Sequence, residues 1–198
     1  KSRRVGSPPY FQPCSSYVRR DPYGVVFIIA PWNYPIQLSL SPLIAAVAAG
    51  NTVILKPSEM ATASERLLVD IIAAVFDPEH VAVVTGDAAT VSDMLECDFD
   101  FVFFTGSTQV GKIVAQKSAK QLTPHILELG GKCPCIVDSS ADIRVAAKRI
   151  LAGKFFNGGQ TCFAPDFVAV SAEVKDELIS AMQELLKAVP WNAEMARI

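Results

Sequence analysis

GVVFIIAPWNYPIQLSLSPLIAAVAAGNTVILKPSE, Gly24 to Glu59, is the stretch on which the fold turns. Two short β-rich apolar runs, GVVFIIA and TVILK, flank LSLSPLIAAVAAG, whose apolar residues recur at helical spacing. Val25 to Ala30 is apolar without a break, which fits a strand covered on both faces better than one with a solvent side. Strand, helix and strand in that order imply parallel strands with helices packed on them.

The alternation continues outward. ASERLLVDIIAAVF, ATVSDMLE and STQVGKIVAQKSAK read as helices, and HVAVVTG and FDFVFFTG as strands. The expected fold is therefore α/β: a parallel, Rossmann-like sheet with helices on both faces. Ligands of such sheets bind where the strands end, and the loops APWNYP, KPSE and FTGS all fall there. After Gly131 the pattern restarts with a strand CPCIVD, a helix from about Ala141 to Phe156, a polar loop, a strand DFVAVS and a helix from Glu173 to Lys187. This is the start of a second α/β domain, with a hinge expected at the paired glycines of Leu129 to Lys132. The opening through Arg20, with Pro8, Pro9 and Pro13, is expected to be extended and without helix.

Composition limits the function classes. The 198 residues are 51% hydrophobic, enough for a sizeable core. With 18 basic and 20 acidic residues spread along the chain, there is no footprint for nucleic acid. Five cysteines, an odd number without disulfide spacing, imply free thiols, a reducing compartment and a cytoplasmic location. Cys133 and Cys135 flank Pro134 in an apolar run and read as small buried strand residues, so no metal site is assigned. The most apolar region, Val25 to Gly50, is interrupted by Pro31, Asn33 and Pro35, so no membrane segment or signal peptide is expected. A start at KSRRV without Met and an end at EMARI fit a piece of a longer chain.

Chemistry gathers at the strand ends. GSTQVGK, Gly106 to Lys112, follows a strand and opens a helix, where backbone amides and the helix dipole favour an anion. Its spacing nearly matches a P-loop, but Ile113 stands where a hydroxyl should hold magnesium, and the G-x-G-x-x-G fingerprint is absent. On this motif alone, phosphate binding and a glycine turn that merely packs weigh equally. Lys56 and Glu59, with Pro57 stiffening the turn between them, read as a ribose-binding pair or a solvated loop pair.

Cys162, in NGGQTCFAPD, follows Gly158, Gly159, Gln160 and Thr161 and precedes Pro165, a setting too polar and bent for a core cysteine. It reads as a nucleophile. His80 and His125 lie at or in strands and read as structural, so the nearest candidate base is a carboxylate, Glu128, among Ile126, Leu127 and Leu129, where burial would suit it to general-base work; the alternative is a half-exposed strand residue. Asn33, between Pro31 and Pro35, is placed to donate to an oxyanion together with the Cys162 amide, or to serve as a turn residue.

PWNYP, GNTVILKPSE, FTGSTQVGK, LELGGK and NGGQTCFAPD, in this order and spacing, resemble the aldehyde dehydrogenase superfamily from about Pro22 to the end of the chain. LTPHILELGGKCPCIVD and GQTCFAPDFV look most like its class-three branch, which acts on medium- and long-chain aliphatic and aromatic aldehydes. The resemblance implies NAD(P)-dependent oxidation of an aldehyde to a carboxylic acid through a thiohemiacetal and a thioester on Cys162, with Asn33 holding the oxyanion and Glu128 activating water. It places Lys56 and Glu59 at the adenosine ribose, Gly106, Ser107, Thr108, Val110 and Gly111 by the pyrophosphate, and Tyr34 and Phe163 beside the aldehyde. The cofactor is NAD or NADP. The implied domains are residues 1–21, a bridging segment used in homodimers; 22–130, dinucleotide-binding; and 131–198, the incomplete first part of a catalytic domain. Two readings of other classes compete: a nucleotide-binding module in which Cys162 is inert, and a P-loop ATPase.

Overall fold

The computed structural model describes residues 2–188. They form two compact units, one through Glu128 and one from Leu129. The first opens with an antiparallel pair, β1 (Arg3–Val5) and β2 (Ser16–Val18). Between them Pro9–Phe11 makes a single 3-10 turn, which corrects the expectation of an opening without helix. Proline suits the first helical position, because its fixed φ is already helical and no amide is needed there. Phe11 N closes the turn on Pro8 O at 2.9 Å.

A five-stranded sheet follows. Its elements are β3 (Val25–Ile29), α1 (Gln37–Ala48), β4 (Thr52–Lys56), α2 (Thr62–Val75), β5 (Val81–Val83), α3 (Ala88–Met94), β6 (Phe101–Thr105), α4 (Thr108–Lys120) and β7 (His125–Glu128). Strand order is β5-β4-β3-β6-β7, and every neighbouring pair is parallel. The chain winds outward from β3 to β5, returns to β6 beside β3 and winds the other way. Right-handed crossovers taken in opposite directions put the helices on opposite faces, as the apolar run in β3 requires.

Packing follows the register. Val26 and Ile28 share a face with Val53, Leu55 and Val81, and Leu43 of α1 and Ile72 of α2 close over them. Phe27 points the other way and stacks on Phe99, rings 4.8 Å apart. Phe27, Ile28 and Leu55 are fully buried.

The second unit contains β8 (Pro134–Val137), α5 (Ile143–Phe155), β9 (Phe167–Val170) and α6 (Lys175–Ala188), with β8 and β9 parallel. Asp142 accepts from the Val145 amide at 3.0 Å and caps α5. Val137, Ile143, Ala147, Ile150 and Leu178 form its core. Residues 189–198 of the expected catalytic segment lie outside the described residues. Cys133 and Cys135 are half-buried, not buried as expected, and Cys133 precedes β8 instead of lying within it. Among the described residues no helix is long and apolar enough to cross a membrane, and no three His, Cys, Asp or Glu residues group to hold a metal.

Leu55→Ala, at a site with no exposure, is expected to cost about 2–5 kcal/mol of stability. Ile44→Ala, on the exposed side of α1, should stay within about 0.5 kcal/mol. Urea denaturation of both variants checks the contrast.

Candidate active site

The carboxyl edge of the sheet carries the first group of candidates in a fixed row. Register sets Ile29 beside Lys56 on one side and Phe104 on the other, and Thr105 beside Glu128. The ends of β4, β3, β6 and β7 therefore lie side by side, and with neighbouring strands about 4.8 Å apart the row spans roughly 14 Å. The switch point falls between β3 and β6, where doubly wound sheets open a ligand crevice. Asn33, half-buried, sits in the loop after β3, and that loop is tied back where Ala30 N donates to Lys56 O at 3.0 Å. Tyr34, also half-buried, accepts at its backbone carbonyl from the Leu38 amide in the first turn leading into α1.

Lys56 closes β4 with its side chain only 3% exposed, and its ammonium is paired with the Glu59 carboxylate. Pro57 and Ser58 between them are buried, and the Ser58 hydroxyl accepts from the Met60 amide. The turn is rigid. Partial burial acts to raise the Glu59 pKa, but the hydrogen bond and charge of Lys56, with a backbone amide, outweigh it and hold the carboxyl below its ordinary range. Asp87 opposes this slightly.

Gly106 follows β6 and Ser107 caps α4, its hydroxyl accepting from Val110 N at 3.3 Å. A side chain at Gly106 is excluded, because a Cβ would stand 2.5 Å from the Phe104 ring. Ser107, Thr108 and Val110 are exposed at the helix N-terminus, and Gly111 is buried one turn in. α4 already begins at Thr108, so Thr108 to Lys112 are helical and do not wrap as a P-loop would. The ATPase reading loses its loop as well as its metal ligand.

Glu128 ends β7, and its carbonyl accepts from Gly106 N at 3.0 Å. Its side chain is exposed, a correction to the expected burial. β7 is an edge strand, and Ile126, on the same face as Glu128, is 45% exposed. His80 sets its ring edge-on to Phe76, and His125 Nδ1 lies 3.2 Å from Thr123 O, both local structural contacts.

The second unit carries Cys162 and Phe163. After α5 the chain reverses through three residues with positive φ, Asn157 at 50°, Gly158 at 63° and Gly159 at 79°. At Gly159 a Cβ would also stand 2.9 Å from Lys154 O, so glycine is required. Thr161 to Ala164 then form a turn, Ala164 N donating to Thr161 O at 3.1 Å. Cys162 and Phe163 occupy its two central positions, both exposed, while Ala164 is buried behind them. Cys133 reaches this loop, since its thiol donates to the Cys162 carbonyl at 3.4 Å. Sequence reasoning missed that contact. The two residues stand 29 positions apart, and nothing local to Cys133 announces it.

A doubly wound parallel sheet with an acid–lysine pair and a capped helix N-terminus at its carboxyl edge defines a Rossmann-like α/β fold of the nucleotide-binding kind. Comparison makes this specific: the model of the aldehyde dehydrogenase family matches residues 7–197, and the chain belongs to that family. It is 48% identical over 187 residues to a 4,4'-diaponeurosporen-aldehyde dehydrogenase of Staphylococcus aureus, covering 94% of this chain and 41% of that protein. It is 48% identical over 172 residues to aldehyde dehydrogenase family 3 member B1 of Rattus norvegicus, covering 87% of this chain and 37% of that one. The solved structure of Staphylococcus aureus AldH in a substrate-bound state superposes with a TM-score of 0.91 at 48% identity, over 94% of this chain and 41% of that chain. The chain thus spans about two fifths of the length of the relatives it matches.

Because Glu59 titrates lower when folded than in the unfolded chain, its pairing adds stability that is fully present above the ordinary glutamate range, about pH 4.3, and is lost as pH falls through the depressed folded value. Glu59→Gln should remove that acid-side dependence and leave the neutral-pH profile nearly parallel to wild type. Thermal denaturation across an acid pH series measures it.

Proposed function

We propose that the full-length protein oxidises an aldehyde to a carboxylic acid, with Cys162 as nucleophile and NAD or NADP as cofactor. The observation that carries this reading is the row of strand ends, which presents a paired lysine and glutamate, an asparagine loop, a helix N-terminus and a terminal carboxylate along one sheet edge. The donor set fits a dinucleotide. Lys56 and Glu59 would hold the adenosine ribose hydroxyls, and Gly106, Ser107 and the first turn of α4, through Gly111, the pyrophosphate. A bound nicotinamide supplies the hydride acceptor.

The chain's own residues account for the remaining steps. The Cys162 thiolate bonds through its sulfur to the aldehyde carbon, and the carbonyl oxygen takes up the electron pair; the thiolate is regenerated when the thioester is cleaved. The Asn33 amide and the Cys162 backbone N–H stabilise that oxyanion. Loss of hydride from the same carbon restores the carbonyl and leaves a thioester on Cys162. Glu128 takes a proton from water, whose oxygen attacks the thioester carbon, and the carbon–sulfur bond breaks to release acid and free sulfur. Tyr34 and Phe163 would border the aldehyde. The resemblance of LTPHILELGGKCPCIVD and GQTCFAPDFV to the class-three branch favours medium- to long-chain aliphatic or aromatic aldehydes, and one relative is named for the aldehyde of diaponeurosporene. The antiparallel β1–β2 pair is proposed to join a homodimer.

In the full-length enzyme, Cys162→Ser should abolish aldehyde oxidation and leave dinucleotide affinity nearly intact; turnover at the wild-type rate would remove Cys162 from the chemistry. Glu128→Gln should form NADH in one burst matching the active sites and then stall with acyl-enzyme, because the amide cannot accept a proton. Rapid mixing with intact-mass detection reads both events, and loss of the burst itself would reassign Glu128 to activation of the thiol.

A further inference from the structure

Gly131, Lys132 and Cys133, three consecutive residues before β8, each meet the Cys162 loop differently. The Cys133 thiol donates to the Cys162 carbonyl at 3.4 Å. The Cys133 carbonyl accepts from the Asp166 amide at 2.9 Å and extends the β8–β9 ladder by one bond. The Lys132 ammonium lies 3.2 Å from the Asp166 carboxylate. Gly131 contributes by what it lacks, since a Cβ there would stand 3.1 Å from the Cys133 sulfur and 3.3 Å from the Cys162 carbonyl oxygen.

These contacts differ in weight. Lys132 is 85% exposed, and an ion pair so placed holds little. The Asp166 amide bond is firm but acts four residues downstream of the nucleophile. Only the Cys133 thiol touches Cys162 itself. Cys162 is the first central residue of the Thr161–Ala164 turn, so the direction of its Cα–Cβ bond depends on its own φ and ψ. Holding its carbonyl oxygen helps to hold ψ, and with it the Cα–Cβ bond from which the χ1 rotamer aims the sulfur.

We propose that Cys133 is a positioning residue for Cys162: its thiol, in the space that Gly131 leaves open, holds the carbonyl of the nucleophile and so orients the attacking sulfur. This rests on the reading of Cys162 as nucleophile given above. A thiol is a weak donor, so the effect is modest and turns on the donor, not on bulk. A cysteine that only filled space would be replaced well by valine and badly by serine. A positioning cysteine behaves the opposite way.

The test uses the full-length enzyme, with rates expressed per titrated active site so that poorly folded protein does not count. Two rates are measured: the first-turnover NADH burst, and alkylation of Cys162 by iodoacetamide, located by peptide mass mapping. Cys133→Val should lower both by about three- to tenfold, the kinetic equivalent of one ordinary hydrogen bond, with dinucleotide affinity unchanged. Cys133→Ser should restore most of both rates. Gly131→Ala approaches the same contact from the other side, because its methyl must displace either thiol or carbonyl, and it should show a similar loss. Wild-type rates in Cys133→Val, or a serine variant as slow as the valine one, would overturn the proposal. Failure of the underlying reading looks different: Cys162→Ser would then turn over aldehyde whatever occupies position 133.

Discussion

Parallel pairing of β3 with both β4 and β6 is the constraint on which the first unit depends. Side chains alternate along a strand, so a slip of one residue would exchange the faces of Val26 and Ile28 with those of Phe27 and Ile29. All four are buried, and each apolar side chain withdrawn from water is worth about 1.5–3 kcal/mol. The register is therefore held from two faces at once. It also aligns the ends of β4, β3, β6 and β7, so the packing of the core decides where Lys56, the Asn33 loop, Gly106 and Glu128 emerge.

Lys56 shows how closely core and site are joined. A lysine whose side chain is 3% exposed would be costly without a partner, and Glu59 supplies one three residues on. Buried Pro57 and the Ser58 cap hold the backbone of the intervening turn, so Glu59 leaves the strand end in a fixed direction. A pair held this way is an ordered acceptor and donor set on a rigid strand end, which is what orienting a ribose requires.

The sheet was legible because its signals are local: an unbroken apolar run in β3 and helical spacing in α1 and α2. The misreadings share another origin. Ile126, Leu127 and Leu129 around Glu128 look like a core, but four residues of strand do not reveal whether a neighbour lies beyond, and β7 is at the edge. GSTQVGK is not among them: Ile113 already argues against a P-loop in spite of the glycine spacing, and the Ser107 cap, with the helix starting at Thr108, agrees. The Pro8-Pro9 pair looks incompatible with helix, whereas one proline at the first position of a short turn is compatible. The contact between Cys133 and Cys162 exists only once β8 and β9 have paired, so no window of sequence contains it.

That pairing also explains why the Cys162 loop can be both bent and ordered. Upstream, three consecutive left-handed residues end α5 in a conformation that cannot continue as helix, and the Gly159 position tolerates no side chain. Downstream, the Asp166 amide is committed to Cys133 and the chain enters β9. Between these fixed ends the turn at Thr161 to Ala164 buries Ala164, and the two central side chains face solvent. The turn's own hydrogen bond, from Ala164 N to Thr161 O, already limits φ and ψ at its two central residues. The contact from Cys133 adds to this at the Cys162 carbonyl, so a weak bond refines a conformation that the turn has largely set.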